Sequence, residues 1–134
     1  MSSRLRSEHG AVLVAGLLLT VTMMFVIGFA VDLGRAFIAR RDLASLADQA
    51  ALTGSQAVDL PALHAGRLQL DPTLARADAM RVIATERGLR GSATVGAQNV
   101  TVTVTRRVPT ILLALAGVRS ITVSAHATAT PQQP

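Results

Sequence analysis

GAVLVAGLLLTVTMMFVIGFAV, residues 10–31, runs for 22 residues without a charge, and Thr20 and Thr22 are its only polar side chains. A helix rises about 1.5 Å per residue, so this stretch spans the roughly 30 Å hydrocarbon core of a bilayer. Both threonines can return their hydroxyls to carbonyls of the preceding turn, so neither opposes insertion. A core helix is the competing structure. A chain of 134 residues, however, has too little protein to cover a helix that is apolar on every side. A second competitor is a cleaved signal peptide, because Gly28 and Ala30 place small residues three and one before a cut. The apolar run is longer than the roughly 7 to 15 residues of a signal core. The leading expectation is a transmembrane helix over residues 10–31, with residues 1–9 as a short N-terminal segment.

Charge leaves the orientation open. Arg4, Arg6 and the α-amine precede the span and Arg35, Arg40 and Arg41 follow it, so the count of positive charges favours neither side. Asp32 ends the apolar run, where an ionised carboxylate is costly unless paired or at the interface, and Arg35 lies one helical turn on. The simplest reading of Asp32 is a marker of where lipid ends. The other reading is a subunit contact or an export-related feature.

Residues 32–58, DLGRAFIARRDLASLADQAALTGSQAV, hold no proline and are rich in good helix formers, so the helix is expected to continue as a stalk. Leu33, Phe37, Ala44, Ala47, Ala51, Gly54 and Val58 recur at close to 3.5-residue spacing, a helix-packing stripe of mostly small residues that permits close approach. That stripe serves either a partner helix, giving a homo- or hetero-oligomer, or the chain's own domain, and the sequence weighs the two evenly.

Residues 59–71 read as a linker. Asp71-Pro72 then starts a helix expected to reach Arg87, with Gly88 taking the left-handed conformation that ends it. The period next changes to two. Val100, Val102 and Val104 alternate with threonines, and Ile121, Val123, Ala125, Ala127 and Ala129 alternate with Thr, Ser and His126. A shorter strand near Ser92 to Val95, turned by Gly96 to Asn99, completes about three strands. Thr110 to Gly117, TILLALAG, is an apolar helix or turn that could cover the sheet or touch lipid or another subunit. The fold class is therefore α+β: a long N-terminal helix, then a small module over residues 72–130 and a disordered tail at 131–134. Strand order stays open.

The inventory for chemistry is thin. No cysteine is present, which excludes disulfides, thiolate nucleophiles and cysteine metal sites. His9, His64 and His126 are far apart, and neither a zinc-binding HExxH nor a glycine-rich phosphate loop occurs. No catalytic, metal or cofactor site is expected, and the chain is read as a non-enzyme. All 13 basic residues are arginine, giving a net charge of +5, but they are scattered. The three aromatics, Phe25, Phe29 and Phe37, lie in or near the apolar segment, so no base-stacking platform exists and nucleic acid is not an expected partner.

The stretch EHGAVLVAGLLLTVTMMFVIGFAVDLGRAFIARRDLASLADQAALTGSQA resembles the TadE/TadG-like proteins of bacterial Flp (tight adherence) pilus assembly. The motif residues are Asp32, Gly34 and Arg35 of AVDLGR, followed by the alanine-rich ADQAAL segment. The C-terminal half is similar as well, with a Val/Thr strand passing through VPT and ILLALAGV into ITVSAHATA. The resemblance implies a short TadG-related, single-pass protein of the bacterial inner membrane or of the pilus. Its N-terminus would be cytoplasmic, its small module exported, and its partners membrane lipid and other Tad/Flp pilus-assembly proteins. It also implies prepilin-type processing between Gly10 and Ala11, although Ala15 stands where such pilins carry glutamate. The alternative function is a small secreted α+β domain released by signal peptidase.

Overall fold

The computed structural model describes the backbone of residues 2–131 and the side chains from Gly10 onward. The tail expected at 131–134 therefore falls, beyond Pro131, outside the described residues. The architecture is α+β. Helix α1 (Ser2–Ser55) runs unbroken for 54 residues, about 80 Å at 1.5 Å per residue, because no proline interrupts it. Short helix α2 (Leu60–His64) and helix α3 (Pro72–Ala84) follow, then strands β1 (Leu89–Val95), β2 (Val100–Pro109) and β3 (Ser120–Ala129).

The first half of α1 is long and apolar enough to cross a membrane, and within the chain almost nothing covers it. Leu13, Leu18 and Phe25 are 74%, 63% and 52% exposed, which removes the core-helix alternative. Thr20 and Thr22 donate their hydroxyls to the carbonyls of Gly16 and Leu18 at 2.9 and 2.8 Å, as their spacing predicts.

The second half of α1 belongs to the module. Ala39, Leu43, Leu46, Ala47, Ala50, Ala51 and Ala57 are buried with Ala75, Ala79 and Ile83 of α3 and the inner face of the sheet. The sheet is an antiparallel meander in the order β1-β2-β3, which resolves the strand order. Val100, Val102, Val104 and Val108 of β2 face inward, as do Val123, Ala125, Ala127 and Ala129 of β3. The short alanines of β3 leave room for α1 to lie close against it, while His126 and the Thr/Ser positions face out.

Three details depart from expectation. The stretch 59–71 is more than a linker, since Asp59 caps α2 by accepting from Ala62 N–H at 3.2 Å. The same stretch is tied back through Asp59 N–H to Gln69 O and Leu70 N–H to Ala97 O. Helix α3 begins at Asp71 as expected, the carboxylate accepting from Thr73 and Leu74 N–H, but it stops at Ala84 rather than Arg87. Past Ala84 the backbone tightens to i→i−3 bonds, Thr85 N–H to Val82 O and Glu86 N–H to Ile83 O, both at 3.3 Å, before Gly88 takes the left-handed conformation at φ 77°. The segment 110–119 does not cover the sheet; it folds outward as the β2–β3 loop and docks on α1.

Candidate functional site

The docking of that loop is the most specific arrangement in the chain, and it is built on one face of α1. At about 100° per residue, Gly28, Asp32, Ala36, Ala39, Leu43, Leu46 and Ala50 fall along one face of the helix. From Ala39 onward this face meets the sheet and α3. At Gly28 and Asp32, one turn apart, it meets the loop.

Asp32 is 2% exposed. Its Oδ1 accepts from the N–H of Ile111, and its Oδ2 accepts from the N–H groups of Leu112 and Leu113, all at 2.9 Å. These are the donors that the first turn of a helix leaves without a partner, and a carboxylate there matches both the free N–H groups and the local dipole. Asp32 thus caps a turn some eighty residues away in sequence. Asp32 is the first residue past the apolar span, and the N–H of Leu113, then that of Ile111, hold its carboxyl below the ordinary value of 3.8. The N–H of Leu112 and the nearby Arg35 guanidinium act in the same direction, and burial opposes them.

Gly28 makes the approach possible. A Cβ there would overlap Leu112 Cδ1 and lie 2.8 Å from Leu112 Cβ, so even alanine at this position forces Leu112 to move. Leu112 and Leu113 also border an apolar cleft of about 300 Å³ shared with Phe25, Val26, Phe29 and Ala116. The loop is closed at its base by Thr110, whose N–H donates to Arg119 O at 3.2 Å and whose hydroxyl donates to Val118 O.

The stripe predicted from sequence divides. Ala47, Ala51 and Gly54 are buried inside the module and Ala44 packs at its margin, whereas Leu33 and Phe37 are exposed. Leu33 and Phe37 border a shallow cleft with Ala36, Arg40 and Thr122 to Ser124. The reason is position along the axis: Leu33 and Ala51 are five whole turns apart on the same face, but α3 covers that face around Ala47 to Gly54 and leaves it open at Leu33 and Phe37. Of the motif residues, Asp32 is in the dock, while Gly34 and Arg35 are exposed beside it. Gly10 and Ala11 are exposed within the continuous helix.

Gly28 and the loop leucines were missed as functional positions. Gly28 had been read only as a small residue before a cut. Its signal was the Gly-x-x-x-Asp pair at the helical period, continuing into Ala36 and Ala39. His64 and His126 are exposed and on different elements, and the side chain of His9 lies outside the described residues. Among the described residues, no group of three or more metal-ligating His, Asp or Glu side chains converges.

Comparison with known proteins gives one match. Residues 10–69 fit the family model described as putative Flp pilus-assembly TadE/G-like, covering the apolar span, the Asp32 motif and the buried half of α1. No curated protein and no solved structure matches the chain.

Proposed function

We propose, from the fit of residues 10–69 to the TadE/G-like Flp pilus-assembly family model, that the chain is a membrane-anchored, non-enzymatic subunit of Flp/Tad pilus assembly or secretion. Proteins of this family are structural. In this reading α1 crosses the inner membrane through residues 10–31 with residues 1–9 cytoplasmic, and the module is exported.

The observation that carries permanent anchoring over release is the dock. Cleavage after Ala30 would remove Phe25, Val26, Gly28 and Phe29, stripping Leu112 and Leu113 of the surface they pack on. A domain made for release would not build its β2–β3 loop onto its own leader. Prepilin processing between Gly10 and Ala11 is compatible with the dock, because it leaves those residues in place, so the chain is minor-pilin-like in either form.

Partner contact falls to the part of the stripe that the module leaves free. Leu33 and Phe37 are exposed on α1 just past the span and pack on helices of other pilus-assembly subunits. Phe37→Arg is expected to abolish co-purification with Tad/Flp components while leaving thermal stability unchanged; unchanged co-purification refutes the assignment. Orientation is read by single cysteines, since the chain has none of its own. An impermeant maleimide should label Thr103→Cys in intact cells and Ser3→Cys only after the inner membrane is opened, and the reverse pattern overturns the topology. The mass of the mature chain distinguishes an intact N-terminus or a start at Ala11 from the start at Val31 that release requires.

A further inference from the structure

The β2–β3 loop carries apolar side chains that nothing in the chain covers. Ile111, Leu115 and Val118 are 58%, 75% and 45% exposed. A solvent loop of this composition would lose free energy in proportion to its apolar area, on the order of 25 cal/mol per Å². The loop's position on α1 is as informative as its composition. It reaches Phe25, six residues inside the end of the apolar span at Val31, or about 9 Å along the helix axis.

We propose that Thr110–Gly117 is a second membrane-contact element, seated in the outer part of the bilayer against α1, with a lipid acyl chain filling the cleft between Phe25, Phe29 and Leu113. The proposal rests on the anchored reading of α1. If residues 10–31 occupy the hydrocarbon, a loop fixed to Phe25 and Gly28 is carried into it, so the lipid face of the span continues onto the loop.

Lipid requires polar main-chain groups to be satisfied internally, and nearly all N–H groups of the loop are. The N–H groups of Ile111, Leu112 and Leu113 donate to Asp32. Those of Thr110, Leu115, Ala116, Gly117 and Val118 donate to carbonyls of the same loop. Among the described bonds only the N–H of Ala114 in Thr110–Gly117 lacks a partner, a degree of pairing that a water-facing loop does not need. Asp32, in turn, resides at the membrane edge as an anion because three N–H groups replace its water. Arg35 and Arg119 are exposed beside Asp32 and at the loop's end, where guanidinium groups meet lipid phosphates. The exported side of the protein is thereby held to the membrane at two points, which fixes the rotation of α1 and the tilt of the module.

The chain has no tryptophan, so single tryptophans in the full-length protein report depth without background. Leu115→Trp is placed in phospholipid vesicles containing lipids brominated along the acyl chain. Leu18→Trp serves as the in-span reference and Thr103→Trp as the aqueous one. The expected result is blue-shifted Leu115→Trp emission, quenched more by bromines near the carboxyl end of the chain than near the methyl end. Adding Asp32→Asn should return it toward the Thr103→Trp signal.

Emission like that of Thr103→Trp, or no response to Asp32→Asn, overturns the proposal. So does a blue shift without quenching, which would mean that another protein copy covers the loop. Failure of the anchor itself is separately visible, because Leu18→Trp would then escape quenching too.

Discussion

Gly54→Val tests whether the small residues late in α1 serve the chain's own core. An ideal Cβ at Gly54 would lie 2.9 Å from Ala75 O and 3.2 Å from both Ala79 Cβ and Val100 Cγ1. Carbon–carbon contacts are optimal near 3.5–4.0 Å, so α1 and α3 must separate by about 0.3–0.8 Å for the Cβ alone. The two γ-methyls of valine then find Ala75, Ala79 and Val100 fully buried around them, with no space to enter. Overpacking of this kind costs about 1–3 kcal/mol. Replacing glycine in a helix returns roughly 0.5–1 kcal/mol, so Gly54→Ala should fall close to the parent and Gly54→Val about 1–2 kcal/mol below it. For a folded unit of this size each kcal/mol is roughly 4–8 °C in Tm. Thermal unfolding of the full chain in detergent micelles, followed by circular dichroism, should rank the parent at or above alanine and both above valine. A valine variant that melts at or above the parent, yet no longer co-purifies with its partners, would refute the intramolecular reading of this position.

Further outcomes follow from the dock and the core. Asp32→Asn cannot accept from three N–H groups as a carboxylate does, so hydrogen exchange at Ile111, Leu112 and Leu113 should accelerate while that of β2 is unchanged; equal protection in both forms would count against the cap. Because the carboxyl of Asp32 is held below 3.8, its contribution is complete above that pH and is lost only as pH falls through the lowered value. The amide shift of Leu113 should therefore titrate below 3.8, and an inflection at or above it would contradict the cap. Leu43→Ala, at a fully buried position of α1, should cost about 2–5 kcal/mol and lower Tm without releasing the chain from membranes; release on this substitution would tie anchoring to the module instead of the span.

Much of the architecture is written in local pattern. The apolar run from Gly10, the Asp71-Pro72 start and the Val/Thr alternation of β2 each depend on neighbours within a few residues, and each element stands where its pattern places it. What local pattern does not carry is how far along α1 each face is covered. The stripe keeps one period from Leu33 to Gly54, and only the placement of α3, whose Ala75 and Ala79 lie against Gly54, decides that its late members are buried and its early ones are not. The dock was hidden for a related reason. Asp32 at a lipid boundary and TILLALAG after a strand are each unremarkable alone, and their pairing spans some eighty residues with no charge or spacing signal to join them. The end of α3 at Ala84, short of Gly88, comes from a last turn that tightens to i→i−3 bonds at Thr85 and Glu86, a change the position of the glycine does not report.

The central claim is that α1 holds the whole chain in a bilayer. The most direct measurement is extraction of the full-length protein from isolated membranes, first with high salt and alkaline carbonate and then with detergent. The chain should stay in the pellet through salt and carbonate and be released only by detergent. An uncut chain recovered as a monodisperse monomer in aqueous buffer without detergent would contradict it.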